Sequence, residues 1–324
     1  MLYNKSILDL FSLLNLLESL MERFENWMSY SYDGVECGRK QIDTKEFTIN
    51  YNKKISKPLP SYKDALLYNA RLMREMYNEP FDVCLSGGID SEVVVRAFKE
   101  LKIKHNTVIF RLENNYNYRD VQSAVELCTQ LNVSYKIIDF NIQNFFENDA
   151  HDLFQQTFIS KAARLPRLRW IDMLDNIPVF GDGEPYWKRE KKDDFSTKSK
   201  WELILGEEGY SCSIYGKTSN RTVIGDWYEY TPELLLSYNY VPIVQKLLND
   251  EIPGKISCYS SRAEIHKHIW SDIIYKPKLV GYEGIDGKPG TEPEFITEFQ
   301  KYMNAVSDIE YRYTVDELEK LLLD

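Results

Sequence analysis

The sequence predicts an α/β protein built on a doubly wound, parallel sheet. Three observations carry this reading. Short apolar or alternating runs suited to strands recur between stretches whose apolar residues fall every three to four positions. One of these runs, Phe81–Leu85, passes through Ser86-Gly87-Gly88 straight into a helical pattern with Ile89, Val93, Ala97 and Leu101 on one face. A second glycine break, Gly181-Asp182-Gly183, follows the short strand-like run 177–180. Both breaks thus fall at carboxyl ends of strands, where such sheets bind ligands.

In chain order, residues 1–60 read as an accessory region. Ile7 to Met21 is leucine-rich, but Asp9, Ser12, Asn15 and Glu18 interrupt it at intervals of three. That is an amphipathic helix over 5–28, too short and too interrupted to span a bilayer, and no small-residue cleavage site follows. Its apolar face is broad enough to pack on the main domain or on a second copy, as in a homodimer. Residues 48–51 read as a strand. Residues 61–324 form the main domain. Ser61 caps a helix running to about Tyr77, and Pro80 ends it before the first core strand. Strands at 107–110 and 134–140 flank a helix from about Tyr118. Helices at 151–161 and 166–175 lead to the strand at 177–180, the second helix with a proline in its first turn.

Residues 184–228 break this rhythm. A charged run, 188–194, precedes three β-like segments at 201–205, 210–215 and 221–228, which predict a small antiparallel insertion beside the site. Helices resume at 232–249 and 261–275. The last helix, 314–323, carries a capping box in Thr314 and Glu317.

Composition narrows the function classes. A chain of 324 residues can bury a sizeable core. Its net charge of −10 and lack of a basic block disfavour wholesale binding to nucleic acid. The five cysteines (Cys37, Cys84, Cys128, Cys212 and Cys258) are odd in number and form no Cys-x-x-Cys. They read as buried thiols in a reducing, cytoplasmic compartment, with Cys84 and Cys128 on core faces. The four histidines show no metal spacing, and His266 and His268, two apart on a helix, read as surface residues.

The chemistry lies in Ser86–Ser91. Two glycines let the backbone turn sharply and bring bare N–H groups up to a ligand, and the following helix points its positive end at the same spot. This predicts a phosphate cradle, with Ser86 and Ser91 hydroxyls as extra donors and Asp90 available for magnesium. It is not a Walker A loop, because no lysine follows the glycines, and it is not a Gly-x-Gly-x-x-Gly dinucleotide turn.

Ser86-Gly87-Gly88-Ile89-Asp90-Ser91 resembles the Ser-Gly-Gly-x-Asp-Ser loop of the ATP pyrophosphatase, or PP-loop, superfamily. The likeness covers roughly residues 61–285 and is strongest at 61–140. It implies the adenine nucleotide α-hydrolase-like fold, with ATP and Mg2+ as cofactors. Within that superfamily the chain looks most like the synthetase domain of asparagine synthetase and of β-lactam synthetase. Their adenine-binding strand matches Phe110, Arg111 and Leu112. Their second motif resembles Val179-Phe180-Gly181-Asp182-Gly183-Glu184, which implies Gly181 at the nucleotide. The family's magnesium-binding aspartate is Pro185 here, so Asp182 or Glu184 would serve instead. A late Arg-x-Lys segment resembles Lys276-Pro277-Lys278, which makes Lys278 the implied catalytic lysine.

The resemblance implies adenylation. A carboxylate or amide oxygen of a small molecule attacks ATP, pyrophosphate leaves Ser86, Gly87, Gly88 and Ser91, and ammonia or an amine displaces AMP. No cysteine follows Met1, so the glutaminase domain of asparagine synthetase is missing and ammonia, if used, comes from outside. Two alternatives stay open: a tRNA-modifying or sulfur-transferring enzyme on the same fold, and a nucleotide-binding regulatory protein without catalysis.

Overall fold

A computed structural model describes residues 28–36, 39, 44, 46–51, 54–183, 185–189, 201–249, 251, 260–274, 293–303, 306 and 310–324. The expected amino-terminal helix, apart from Met28, lies outside these residues. So do Glu184, most of the charged run and the Lys276–Lys278 segment.

The centre is a four-stranded sheet in the order β6-β5-β4-β7, formed by β4 (Phe81–Cys84), β5 (His105–Leu112), β6 (Tyr135–Phe140) and β7 (Ile177–Phe180). All three pairings are parallel, and β4 sits between β5 and β7. Every residue of β4 and β7 is buried, including Asp82, whose carboxylate accepts from the Asn106 and Asn176 side-chain amides. Before them come β1 (Met28–Tyr32), β2 (Val35–Glu36) and β3 (Phe47–Tyr51), an antiparallel sheet in the order β2-β1-β3.

Helices cover both faces of the central sheet. Helices α1 (Tyr62–Met76), α2 (Ile89–Glu100) and α3 (Tyr118–Leu131) pack into one apolar cluster with Phe81, Val83, Ile109 and Val179. Helices α4 (Ile142–Asn148), α5 (Ala150–Thr157) and α6 (Leu165–Asp172) pack into a second with Val108, Phe110 and Phe180. The predicted α/β fold is therefore the observed one, and the side chains of successive strand residues divide between two cores. The cap predicted at Ser61 is present, its hydroxyl accepting from the Asp64 N–H at 3.1 Å.

The insertion differs from expectation. Strands β8 (Tyr186–Arg189) and β9 (Trp201–Gly206) do pair antiparallel, and β10 (Glu310–Tyr313) completes their sheet. Between them in sequence, however, 207–218 is a helix, α7 (Glu207–Thr218), not a turn and a strand. Tyr210, Ser211, Cys212, Ser213, Ile214 and Tyr215 are all buried, so no polar stripe betrays the helical period. Of the expected strand at 221–228, only Ile224 bridges to Val179, and 227–229 is a 3₁₀ turn.

The run 232–249 is two helices, α8 (Pro232–Asn239) and α9 (Pro242–Leu248), because Pro242 lacks the N–H that would continue the first. Next come α10 (Ser260–Lys267) and α11 (Glu294–Tyr302). The capping box at Thr314 and Glu317 opens α12 (Val315–Leu322) as predicted. His266 departs from its surface reading: it is fully buried, its ring 6.2 Å from Tyr62 and 6.0 Å from Tyr228. His268 is exposed.

Candidate active site

The site is built where β4 ends. Leu85 still belongs to the sheet, its N–H donating to the Val108 carbonyl at 2.8 Å and its side chain 2% exposed. It supports the loop from the core. The chain then turns on Gly87 at φ +78°, where a Cβ would stand 2.2 Å from the Asp120 carbonyl oxygen in the first turn of α3. Only glycine fits that position. Ser91 ties the loop down: its Oγ donates to the Gly88 carbonyl and accepts from both the N–H and the hydroxyl of Ser86, each at 3.1 Å. The Ser91 hydroxyl therefore shapes the cradle, whereas sequence reasoning gave it to the ligand.

Gly88 is the N-cap of α2 and offers no side-chain acceptor to the first-turn N–H groups. Those donors, the helix dipole and the close-packed glycine turn fit a phosphate group. Asp90 lies in that first turn. Among the described residues no cluster of three or more metal-ligating side chains forms. Asp90 would thus hold magnesium only together with phosphate oxygens, the usual arrangement for this ion.

The second glycine break meets the first directly. A Cβ on Gly181 would lie 2.8 Å from the Asp90 carbonyl carbon and oxygen and from the Ser91 Cα. This contact joins the two motifs that the sequence placed 90 positions apart. Tyr228 clamps the same junction, its hydroxyl donating to the Asp90 carbonyl at 2.8 Å. Asp182 is engaged by two arginines. Arg167 donates to its Oδ2, and Arg164 Nη1 stands 3.4 Å from its Oδ1.

Gly183, at φ +79°, rests on two buried acids. A Cβ there would be 3.4 Å from the Asp226 Cα and 3.5 Å from the Glu229 carboxyl carbon. Asp226 accepts from the Tyr30 hydroxyl at 2.8 Å and the Ser213 hydroxyl at 2.5 Å. Glu229 Oε2 is buried without a partner, while the Tyr210 hydroxyl stands between Glu229 and Tyr51 and interacts with both. Burial raises the pKa of Asp226 and raises that of Glu229 well above the ordinary carboxyl range, with the nearby Asp226 adding to the latter.

At the end of β5, Phe110 is buried and stacks on Trp170 with centroids 4.4 Å apart and planes 7° from parallel. Its carbonyl accepts from the Asn117 amide at 2.9 Å, and the Leu112 N–H donates to the Asn117 carbonyl oxygen at 2.8 Å. Arg111 points outward to Asp139. Their mutual hydrogen bonding raises the arginine pKa and lowers the aspartate's.

The structure thus brings Ser86–Ser91, Gly181 and Asp182 together, while Arg111 is held in an exposed ion pair with Asp139. Glu184 and Lys278 lie outside the described residues. Sequence reasoning missed Arg164, Arg167, Asp226, Glu229 and Tyr228. The three-residue spacing of each charged pair was the available signal, since it puts both side chains on one side of a helical turn.

Residues 71–173 match the family described as NAD synthase. The stretch contains the phosphate loop, β5 and the Arg164–Arg167 pair. It agrees with the PP-loop resemblance and does not single out asparagine synthetase. Two solved structures show a weak likeness to the chain. One is an NH3-dependent NAD synthetase from Campylobacter jejuni subsp. jejuni NCTC 11168 in complex with the nitrate ion, at 18% identity over 38% of this chain and 56% of that one, with a TM-score of 0.29. The other is NMN synthetase from Francisella tularensis, at 18% identity over 80% and 90% of the two chains, with a TM-score of 0.35. The chain spans little more than half the length of the first. Neither likeness guides the assignment of individual residues. No curated protein matches the chain.

Proposed function

We propose that this chain is an ATP-dependent ligase that adenylates a carboxylate or amide oxygen of a small molecule and transfers the activated group to ammonia or an amine, releasing AMP and pyrophosphate. The observation that carries this is the contact of Gly181 with Asp90–Ser91, which sets a second glycine motif against a phosphate cradle at the strand ends. The match to NAD synthase over residues 71–173, which contain the phosphate cradle, supports it. Ser86, Gly87, Gly88 and the first turn of α2 hold the pyrophosphate end of ATP, and Asp90 holds magnesium. Magnesium supplies Lewis-acid stabilisation of the charge that builds on the departing pyrophosphate.

Lys278 is the lysine that the resemblance to asparagine synthetase implies for the α-phosphoryl group. Sulfur transfer is the weaker reading. Burial raises the Cys84 thiol well above its ordinary pKa and pushes Cys128 to about 11 and Cys212 to about 12, so none is a ready thiolate.

The test is 31P NMR of the chain with Mg·ATP, ammonium and a panel of carboxylates. AMP and pyrophosphate are expected, and Asp90→Asn should abolish both with an unchanged circular dichroism spectrum. Formation of ADP and phosphate would refute the proposal.

A further inference from the structure

The phosphate loop contains no lysine or arginine, yet two guanidinium groups meet on Asp182, the residue after the Gly181 that packs on the loop. Arg164 closes the 3₁₀ turn Ala162–Arg164, and Arg167 lies in the first turn of α6. Three positions separate them, so both leave the same side of the helical turn. They meet on Asp182, with Arg164 on Oδ1 and Arg167 on Oδ2. The three side chains are 21%, 24% and 19% exposed, so the trio is reachable by solvent. Asp182 immediately follows Gly181, whose missing Cβ would meet the Asp90–Ser91 backbone.

We propose that Arg164 and Arg167 form the anion clamp for the pyrophosphate end of ATP, and that Asp182 is an internal stand-in which occupies them until phosphate arrives. This rests on the reading that residues 86–91 bind phosphate. A guanidinium fork matches two oxygens at once, whether of a carboxylate or of a phosphate. Pyrophosphate brings several negative charges where Asp182 brings one, so it displaces the carboxylate. Asp182 is then released. The arginines act on the phosphates, and Asp182 acts through the arginines.

The two halves of the proposal predict opposite signs for neighbouring substitutions. Binding of sodium pyrophosphate, without nucleotide, is measured by titration calorimetry on the full chain. Arg164→Ala with Arg167→Ala should weaken it about 30-fold, the scale of losing charge-assisted hydrogen bonds. Asp182→Asn should tighten it several-fold, because the competitor is gone. The paired lysine variants, Arg164→Lys and Arg167→Lys, preserve charge and should fall between, which guards against a simple loss of fold. The clamp is overturned if Asp182→Asn weakens binding as much as the arginine removal does. It is also overturned if the arginine variants bind like the wild type while Gly87→Ala does not bind, and in that case the phosphate-loop reading survives. Failure of the wild type to bind either pyrophosphate or Mg·ATP would remove both readings.

Discussion

Gly181 shows how little room the site leaves. Its missing Cβ would collide with three backbone atoms of Asp90 and Ser91, and backbone cannot rotate away as a long side chain can. Gly181→Ala should therefore destabilise the fold by about 1–3 kcal/mol, the ordinary scale of overpacking, and separate the two glycine motifs. Urea denaturation gives the first effect and Mg·ATP titration the second. Unchanged ATP affinity in a destabilised variant would show that the motifs need not touch. Glu229 allows a test with pH. Its folded pKa is raised by burial, while the unfolded chain ionises near pH 4. Above that pH the folded state holds the extra proton, so stability falls as pH rises from about 4 towards the folded pKa. Glu229→Gln removes this contribution, and its urea midpoint should fall less steeply than the wild type's between pH 5 and 8. Equal slopes would mean that Glu229 keeps an ordinary pKa.

Among the elements, those with a local signature were legible in the sequence. Ser61 accepting from Asp64, and Thr314 with Glu317, are contacts within one helical turn, and a sequence displays them. The phosphate loop is equally local. Helix α7 was hidden because burial on most sides erases the periodicity that identifies a helix. The acids Asp226 and Glu229 were hidden for another reason. What marks them is their approach to Gly183 and to Tyr30, 196 positions away in the case of the Tyr30–Asp226 bond. That bond ties the amino-terminal sheet to the site. Tyr30→Phe would leave an acceptor of Asp226 unpaired in the core, at a cost of about 1–3 kcal/mol. Amides of β1 and β3 should then exchange faster. Protection equal to the wild type's would mean that the sheet is held by its apolar packing alone.

Across the whole molecule, the residues read as an accessory region join the main core. Tyr30, Phe47 and Ile49 lie in one apolar cluster with Phe81, Val93 and Trp227. The full chain should therefore unfold in a single calorimetric transition, and residues 61–324 expressed alone should melt broadly at lower temperature. Two well-separated transitions in the full chain would show that the first sheet is an independent unit.

The pairing of Ile55 with Leu323 has a kinetic consequence. The Ile55 N–H donates to the Leu322 carbonyl, the Asp324 N–H donates to the Ile55 carbonyl, and Lys54 reaches the Lys320 carbonyl across 266 positions. Closing so long a loop has a large entropic cost, and only contacts already formed can shorten it. This clasp should snap shut last, after the β4–α2–β5 nucleus has condensed. In pulse-labelled refolding, the Ile55 and Asp324 amides should gain protection later than that of Leu85. The same clasp is then the first seam to open when the protein breathes.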